Sequence, residues 1–280
     1  MITFVNVKLN LLTMILFPNA KINIGLNIVS KRSDGYHNLE TVFYPISWCD
    51  SLEIIQSNQL QFTSTGLNIP GSGNLCLDAY QLLKSDFDLS PVHIHLHKNI
   101  PIGAGLGGGS SDASFTLKGL NEIFDLNLSD DELKKYALKL GADCPFFIDN
   151  IPSLATGIGE ELRPISLDLD NLYLMVVTPN IHISTAQAYS SLRFDSKQSN
   201  LADLLKSPVE HWEMKNDFEL GIFELEPKIA SVKQKMIENG ALYASMSGSG
   251  SSVYAIFKQK PNLVFDACKQ HIQSLPTFVE

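Results

Sequence analysis

The chain has 280 residues, of which 44% are hydrophobic and 18% charged, enough apolar material to close a core in one large domain or two modest ones. That balance excludes a disordered, collagenous or coiled-coil chain. With 30 acidic residues against 21 basic ones the net charge is −9, so no large basic surface exists to neutralise a nucleic-acid backbone, and no nucleic-acid partner is expected.

Residues 11–17 form a short apolar stretch that is too brief to span a bilayer. Only Lys8 precedes it, and it runs into Phe17-Pro18-Asn19 instead of a cleavage site, so it reads as the start of a strand and not as a secretory core. Residues 1–13 are read as an N-terminal extension detachable from the patterned fold. No other stretch reaches the ~18 apolar residues of a membrane span, so a soluble protein with no membrane partner is expected. Cys49, Cys76, Cys144 and Cys268 are widely separated and form no CxxC pair, which speaks against a disulfide framework or a structural zinc and for a cytoplasmic location.

Alternation predicts a strand over residues 20–29, with Ile22, Ile24, Leu26 and Ile28 on one face. Ser33-Asp34-Gly35-Tyr36 is a turn signal, residues 51–62 read as further strand, and Val92, Ile94 and Leu96 repeat the alternation. Helical spacing follows over residues 110–124, then over residues 130–140 with Ser129 as cap and Gly141 as stop. Residues 149–170, with Pro152, Pro164 and short polar turns, are the expected domain connection. Beyond it lie a strand over 172–177, helices over 186–192 and 226–239, a strand pair flanking Ser247-Gly248-Ser249-Gly250, and a last helix over 261–270. Uneven clustering of these elements, without strict βα alternation, indicates an α+β fold with helices covering mainly antiparallel sheets.

The strongest local signal is Pro101-Ile102-Gly103-Ala104-Gly105-Leu106-Gly107-Gly108-Gly109-Ser110-Ser111, set between a strand and a helix. Glycines at this density give up conformational entropy and bury no side chain, but they let backbone N–H groups approach an anion at a helix start. A Walker A loop laid on Gly103 puts Gly109 where its lysine belongs, so that reading fails. The Rossmann spacing is met by Gly103, Gly105 and Gly108, yet the acidic residues that follow, Glu122 and Asp125, fall at a helix end and not after a second strand. An ATP loop ending in hydroxyls, Ser110 and Ser111, remains.

This loop resembles the second motif of the small-molecule kinase superfamily that includes galactokinase, homoserine kinase and mevalonate kinase, often abbreviated GHMP kinases. Pro18-Asn19-Ala20-Lys21-Ile22-Asn23 resembles its first motif and Met246-Ser247-Gly248-Ser249-Gly250 its third. Arg32-Ser33-Asp34-Gly35-Tyr36-His37-Asn38-Leu39 and Gly141-Ala142-Asp143-Cys144-Pro145-Phe146-Phe147 are similar to one branch, whose alcohol substrate carries a cytidine diphosphate group and belongs to the non-mevalonate route to isoprenoid precursors.

The resemblance implies a two-domain fold, an ATP-binding and catalytic part over residues 14–160 and a substrate-binding part over 161–280, with the active site in the cleft between them. It implies ATP and Mg2+ as cofactors, residues 101–111 as the nucleotide loop, and Lys21 and Asp143 as the catalytic pair. Asp143 would accept the hydroxyl proton while Lys21 holds it ionised and stabilises the developing alkoxide. Ser110 or Ser111 offers an oxygen to the metal, and no acidic metal ligand is assigned. Tyr36 and His37 match residues that stack on and hydrogen-bond to cytosine, Thr185 and Tyr189 lie in the segment that supplies a second ring, and Asn23 would hold the alcohol portion.

Other conspicuous residues read as structural. His93, His95 and His97 alternate on one solvated strand face, Cys144 has nothing nearby to activate it, and Trp48 and Trp212 read as packing residues. Asn216-Asp217-Phe218-Glu219 reads as a helix cap. Two rival functions remain: a kinase for homoserine, mevalonate or a sugar, which the Asp34–His37 turn argues against, and a nucleotide-binding regulator without turnover, which the presence of both Lys21 and Asp143 argues against.

Overall fold

A computed structural model describes residues 13–71, 73–193 and 201–276. The expected extension lies outside them except for Thr13, which already opens the first strand. In chain order the strands are β1 (Thr13–Leu16), β2 (Asn19–Lys31), β3 (His37–Cys49), β4 (Ser51–Gln56), β5 (Gln61–Gly66), β6 (Val92–Lys98), β7 (Ser153–Thr156), β8 (Glu161–Pro164), β9 (Tyr173–Pro179), β10 (Tyr243–Met246), β11 (Val253–Phe257) and β12 (Cys268–Ser274). The helices are α1 (Leu75–Lys84), α2 (Gly108–Ile123), α3 (Asp130–Leu140), α4 (Phe146–Asp149), α5 (Thr185–Ser190), α6 (Leu201–Leu204), α7 (Glu219–Leu225) and α8 (Pro227–Glu238).

The chain forms two compact units that interleave along the sequence. Among the described residues, one draws on 13–20, 46–102 and 107–150, the other on 21–45, 103–106 and 151–276. A single division near residue 160, as the sequence suggests, does not describe them, because the long strands β2 and β3 each contribute residues to both units.

The first unit is a sheet of order β1-β4-β6-β5 with helices α1 to α4. Leu52, Ile54, Val92, Ile94 and Leu96 turn one face inward and are fully buried, each worth about 1.5 to 3 kcal/mol on folding. Helix α2 packs against β4 and β1, and Gly119 allows the approach: a Cβ there would stand 2.8 Å from Ile54 Cδ1 and 2.9 Å from Leu16 Cδ1. The expected continuous strand over 51–62 is in fact two strands, because β6 inserts between them, antiparallel to β4 and parallel to β5. On the outer face the three histidines of β6 interleave with Thr63 and Thr65, whose hydroxyls contact ring nitrogens of His93, His95 and His97 at 2.8 to 3.1 Å. Helix α3 has the expected cap at Ser129, which closes a capping box with Glu132.

The second unit contains sheets of order β2-β3-β7-β8 and β10-β11-β9-β12. Leu26 and Ile28 of β2 join Met175, Val177, Val253, Ala255 and Phe257, with Phe218, Ile222, Ile229 and Met236 of the helical segments, in one buried cluster. The expected connection over residues 149–170 folds as the hairpin β7 and β8, which extends the sheet beyond β3. The expected last helix over 261–270 is also corrected. The chain there makes a loop and then β12, which pairs along the whole outer edge of β9 from Cys268↔Pro179 to Ser274↔Tyr173. The Gln270 side chain closes the loop by bonding both the N–H and the carbonyl of buried Phe265, at 3.3 and 2.8 Å, so sheet pairing and this clamp override a local helical pattern. Among the described residues no helix is long and apolar enough to cross a membrane.

Candidate active site

Lys21 lies in β2 with its neighbours Ile22 and Ile24 in the core, yet it is itself only 3% exposed. Its Nζ donates to Asn23 Oδ1 at 2.6 Å and sits 4.5 Å from the centre of the Phe43 ring, so a cation on a flexible stem is held between an acceptor and an aromatic face. Asn23 is buried too: its Nδ2 donates to Thr41 Oγ1 at 3.1 Å, and its backbone N–H donates to Ser247 Oγ at 3.2 Å. The pairing of Lys21 with Asn23 joins two residues singled out in the sequence and ties them to Ser247 of the third motif, whereas Phe43 and Thr41 carried no local signal.

The third motif meets the front half of the glycine loop within the same unit. Ser247 Oγ donates to Gly105 O at 2.8 Å, Ser252 N–H to Ala104 O at 3.1 Å, and Lys21 N–H to Leu106 O at 2.9 Å. Gly105 has φ +78°, and a Cβ on it would stand 2.0 Å from the Ser247 carbonyl oxygen. The close approach that requires glycine at this position is therefore to protein backbone. Gly105→Ala is expected to cost at least about 2 kcal/mol through left-handed strain and overlap, read as a lowered thermal midpoint; an unchanged midpoint would contradict the contact. Asn216 holds the motif from beneath, its Nδ2 donating to Met246 O at 2.9 Å and Gly248 O at 2.8 Å. Asp217 accepts from Ile28 N–H at 2.6 Å, and buried Glu219 accepts from Met246 N–H at 2.7 Å and from Lys233 Nζ at 2.6 Å. The expected helix cap over 216–219 is thus a brace between β2, β10 and the third motif, although Asn216 Oδ1 also accepts from Phe218 N–H at 3.0 Å.

In the first unit the back half of the loop opens α2. Gly107, with φ 68°, is its N-cap and provides no side-chain cap, so the N–H groups of the first turn are offered to an incoming anion together with the helix dipole. Ser111 Oγ is buried with no hydrogen-bond partner, while Ser110 is half-buried. One turn further along, Ser114 Oγ donates to Cys144 O at 2.7 Å, and Cys144 N–H donates to Gly141 O at 3.1 Å. These bonds fix to α2 the turn that carries Asp143, which is half-buried. Burial pushes the Cys144 thiol up to about 11, so it stays protonated and is no nucleophile.

A buried ion cluster under this helix start was not anticipated. Lys98 Nζ, at the end of β6, lies 2.5 Å from Asp50 Oδ2 and 2.6 Å from Asp112 Oδ2. Asp50 Oδ1 also accepts from the N–H groups of Asn99 at 2.5 Å and Ile100 at 2.8 Å, directly before the loop. Burial works to lower the Lys98 pKa, but the two carboxylates outweigh it and raise it. Asp112, whose Oδ1 has no partner, is raised by burial and by Asp50 against the pull of Lys98.

The aromatic residues gather in the second unit. His37 stacks on Tyr189 at 4.8 Å between ring centroids and 20° between planes, and Tyr189 meets Phe218 edge-on at 5.0 Å. His37 is thus in direct ring contact with Tyr189, while Tyr36 is 62% exposed. The Arg32 guanidinium hydrogen-bonds Asp34, whose carboxylate in turn accepts from Tyr36 N–H at 3.1 Å and stabilises the turn that presents it. Thr185 is exposed at the first position of α5, behind the Ser184 and Gln187 capping box. Trp48 and Trp212 are both buried.

An uncapped helix start behind a glycine loop and a held lysine, on mixed sheets with helices, define the class of small-molecule kinases. Two models of that class match: the GHMP kinases N terminal domain over residues 74–151 and the GHMP kinases C terminal domain over residues 197–273. A 4-diphosphocytidyl-2-C-methyl-D-erythritol kinase of Cytophaga hutchinsonii is 50% identical over 266 residues, covering 93% of this chain and 98% of its own. One of Azobacteroides pseudotrichonymphae is 53% identical over 251 residues, covering 88% and 94%. A crystal structure of 4-(cytidine 5'-diphospho)-2C-methyl-D-erythritol kinase superposes with TM-score 0.74 at 32% identity, covering 86% of this chain and 89% of that one. The chain belongs to the 4-diphosphocytidyl-2-C-methyl-D-erythritol kinase family of the GHMP kinases, and is an ATP-dependent small-molecule kinase.

Proposed function

We propose that this chain transfers the γ-phosphoryl group of ATP to the 2-hydroxyl of 4-diphosphocytidyl-2-C-methyl-D-erythritol, a step of the non-mevalonate route to isoprenoid precursors. The observation that carries the reading is the Lys21 and Asn23 pair, fixed in one unit beside the third motif in a chain about half identical to kinases named for that substrate. The uncapped start of α2 and residues 101–111 receive the ATP phosphates. Asp143 accepts or orients the proton of the attacked hydroxyl, and Lys21 offsets the negative charge that gathers on that oxygen.

Mg2+ would neutralise the phosphates. The orphaned oxygen of Ser111 fits a hard cation in its chemistry, and Ser110 on the same turn is the second hydroxyl available. Among the described residues no cluster of three or more His, Cys, Asp or Glu side chains could hold a metal, so phosphate and water oxygens would complete the shell. The four cysteines are free thiols, in keeping with the reducing cytoplasm as the place of action.

Cytosine is assigned to the aromatic group of Tyr36, His37 and Tyr189, with the exposed ring of Tyr36 open to a base and the His37 imidazole supplying a polar edge. Thr185 and Asn23 would contact the rest of the acceptor. Base stacking contributes about 1 to 3 kcal/mol per ring, so Tyr36→Ala and Tyr189→Ala should each weaken acceptor binding about 5- to 150-fold and leave ATP binding nearly unchanged. His37→Ala should reduce the preference for cytosine over uracil. Titration calorimetry with each ligand separately checks this. Acceptor affinity within about twofold of wild type in all three, with ATP binding lost, would move these rings to the nucleotide pocket.

A further inference from the structure

Thr41 is fully buried in β3, next to β2 in the sheet, and makes two contacts of opposite sense. Its Oγ1 donates to the Gly25 carbonyl at 2.5 Å and accepts from Asn23 Nδ2 at 3.1 Å. A carbonyl oxygen can only accept, so the single hydroxyl proton of Thr41 is committed to Gly25 and only its lone pairs face Asn23. The group of Asn23 that points at Thr41 must then be its NH2, and the amide oxygen is turned toward Lys21 Nζ at 2.6 Å. With the amide reversed, NH2 would face an ammonium and a carbonyl would face a hydroxyl that has no proton left to give. We propose that Thr41 is a positioning residue for phosphoryl transfer: by fixing the polarity of the Asn23 amide it holds the Lys21 ammonium in its working orientation. The inference rests on the reading of Lys21 as catalytic.

Ser247 Oγ accepts from the backbone N–H of Asn23 and gives its proton to Gly105 O at 2.8 Å; its reach to Asn23 Oδ1 is longer, 3.5 Å, which leaves Thr41 the closer side-chain constraint on the amide's NH2. Valine at position 41 keeps the shape and strand preference of threonine while removing both bonds. Serine keeps both bonds.

The test is steady-state phosphorylation of the cytidine-bearing alcohol by the full chain, comparing Thr41→Val and Thr41→Ser alone and in an Asn23→Ala background. Thr41→Val should lower kcat about tenfold with KM for ATP within about twofold, and Thr41→Ser should return kcat to within about threefold of wild type. With Asn23 already removed, Thr41→Val should change kcat by less than about twofold, because a residue that acts through another has nothing left to act on. Unchanged kcat in Thr41→Val, failure of serine to rescue, or an equal loss in the Asn23→Ala background overturns the proposal. If Thr41→Val does not fold, Thr41→Cys, close in volume with a weak donor and acceptor, takes its place and should show an intermediate loss. Lys21→Ala is run alongside. Full turnover there overturns the catalytic reading itself, whereas an inactive Lys21→Ala with a wild-type Thr41→Val overturns only the role of Thr41.

Discussion

Asp143→Asn is expected to lower kcat at least about 100-fold while ATP affinity stays within about twofold of wild type. The substitution is nearly isosteric. Ser114 Oγ bonds Cys144 O and Cys144 N–H bonds Gly141 O, and the substitution leaves both of these bonds in place. What disappears is the negative charge and the proton acceptor, both of which, in the proposed mechanism, act on the attacked hydroxyl and not on the nucleotide. A loose phosphoryl-transfer transition state needs little base assistance, so a residue that mainly orients the hydroxyl would give a loss near the lower end. Pre-steady-state measurement of the chemical step with a separate ATP titration checks it, and near-normal turnover would remove Asp143 from the mechanism.

Lys98→Met should produce the largest loss of stability. It strips the cation from Asp50 and Asp112, which are 0% and 4% exposed, and leaves Asp50 with the N–H groups of Asn99 and Ile100 and both buried acids without their shared cation. Breaking a buried pair in this way costs about 3 to 5 kcal/mol, a large part of the roughly 5 to 15 kcal/mol that holds a domain together. The thermal midpoint should fall by roughly 10 °C or more, and adding Asp112→Asn should recover part of that by removing one unpaired charge. A midpoint within about 2 °C of wild type would show that water already reaches the cluster.

How much of this was legible in the sequence depended on how far apart the partners lie. Helix α3 was readable at both ends because Ser129 and Gly141 act on the helix they bound. Strand β6 was readable from alternation because only one of its faces is fully buried, and β2 because Ile22, Ile24, Leu26 and Ile28 alternate with polar residues and a glycine, although the fold buries its other face as well. The loop over 261–267 and β12 were not, because what decides them is an open edge of β9 some 90 residues earlier in the chain, as the pairing of Cys268 with Pro179 shows. At the site, Lys21, Asn23, His37 and Tyr189 were found through motifs. Asn216 was noticed but given a local role, because the carbonyls it holds are 30 and 32 residues away. Asp50 and Lys98, 48 residues apart, each resemble an ordinary charged residue at a strand end until the fold buries them together. Even the glycines of the loop were only half explained by phosphate: Gly105 is required by the Ser247 carbonyl, a contact across 142 residues.

We propose that this kinase recognises its acceptor by a cytidine group. The most direct test is to follow ADP release by the full chain with ATP and Mg2+ and, in parallel, 4-diphosphocytidyl-2-C-methyl-D-erythritol, homoserine and mevalonate. Turnover with the cytidine-bearing alcohol alone, and phosphate recovered on its 2-hydroxyl, is the predicted result. Turnover with homoserine or mevalonate and none with the cytidine-bearing alcohol would contradict it.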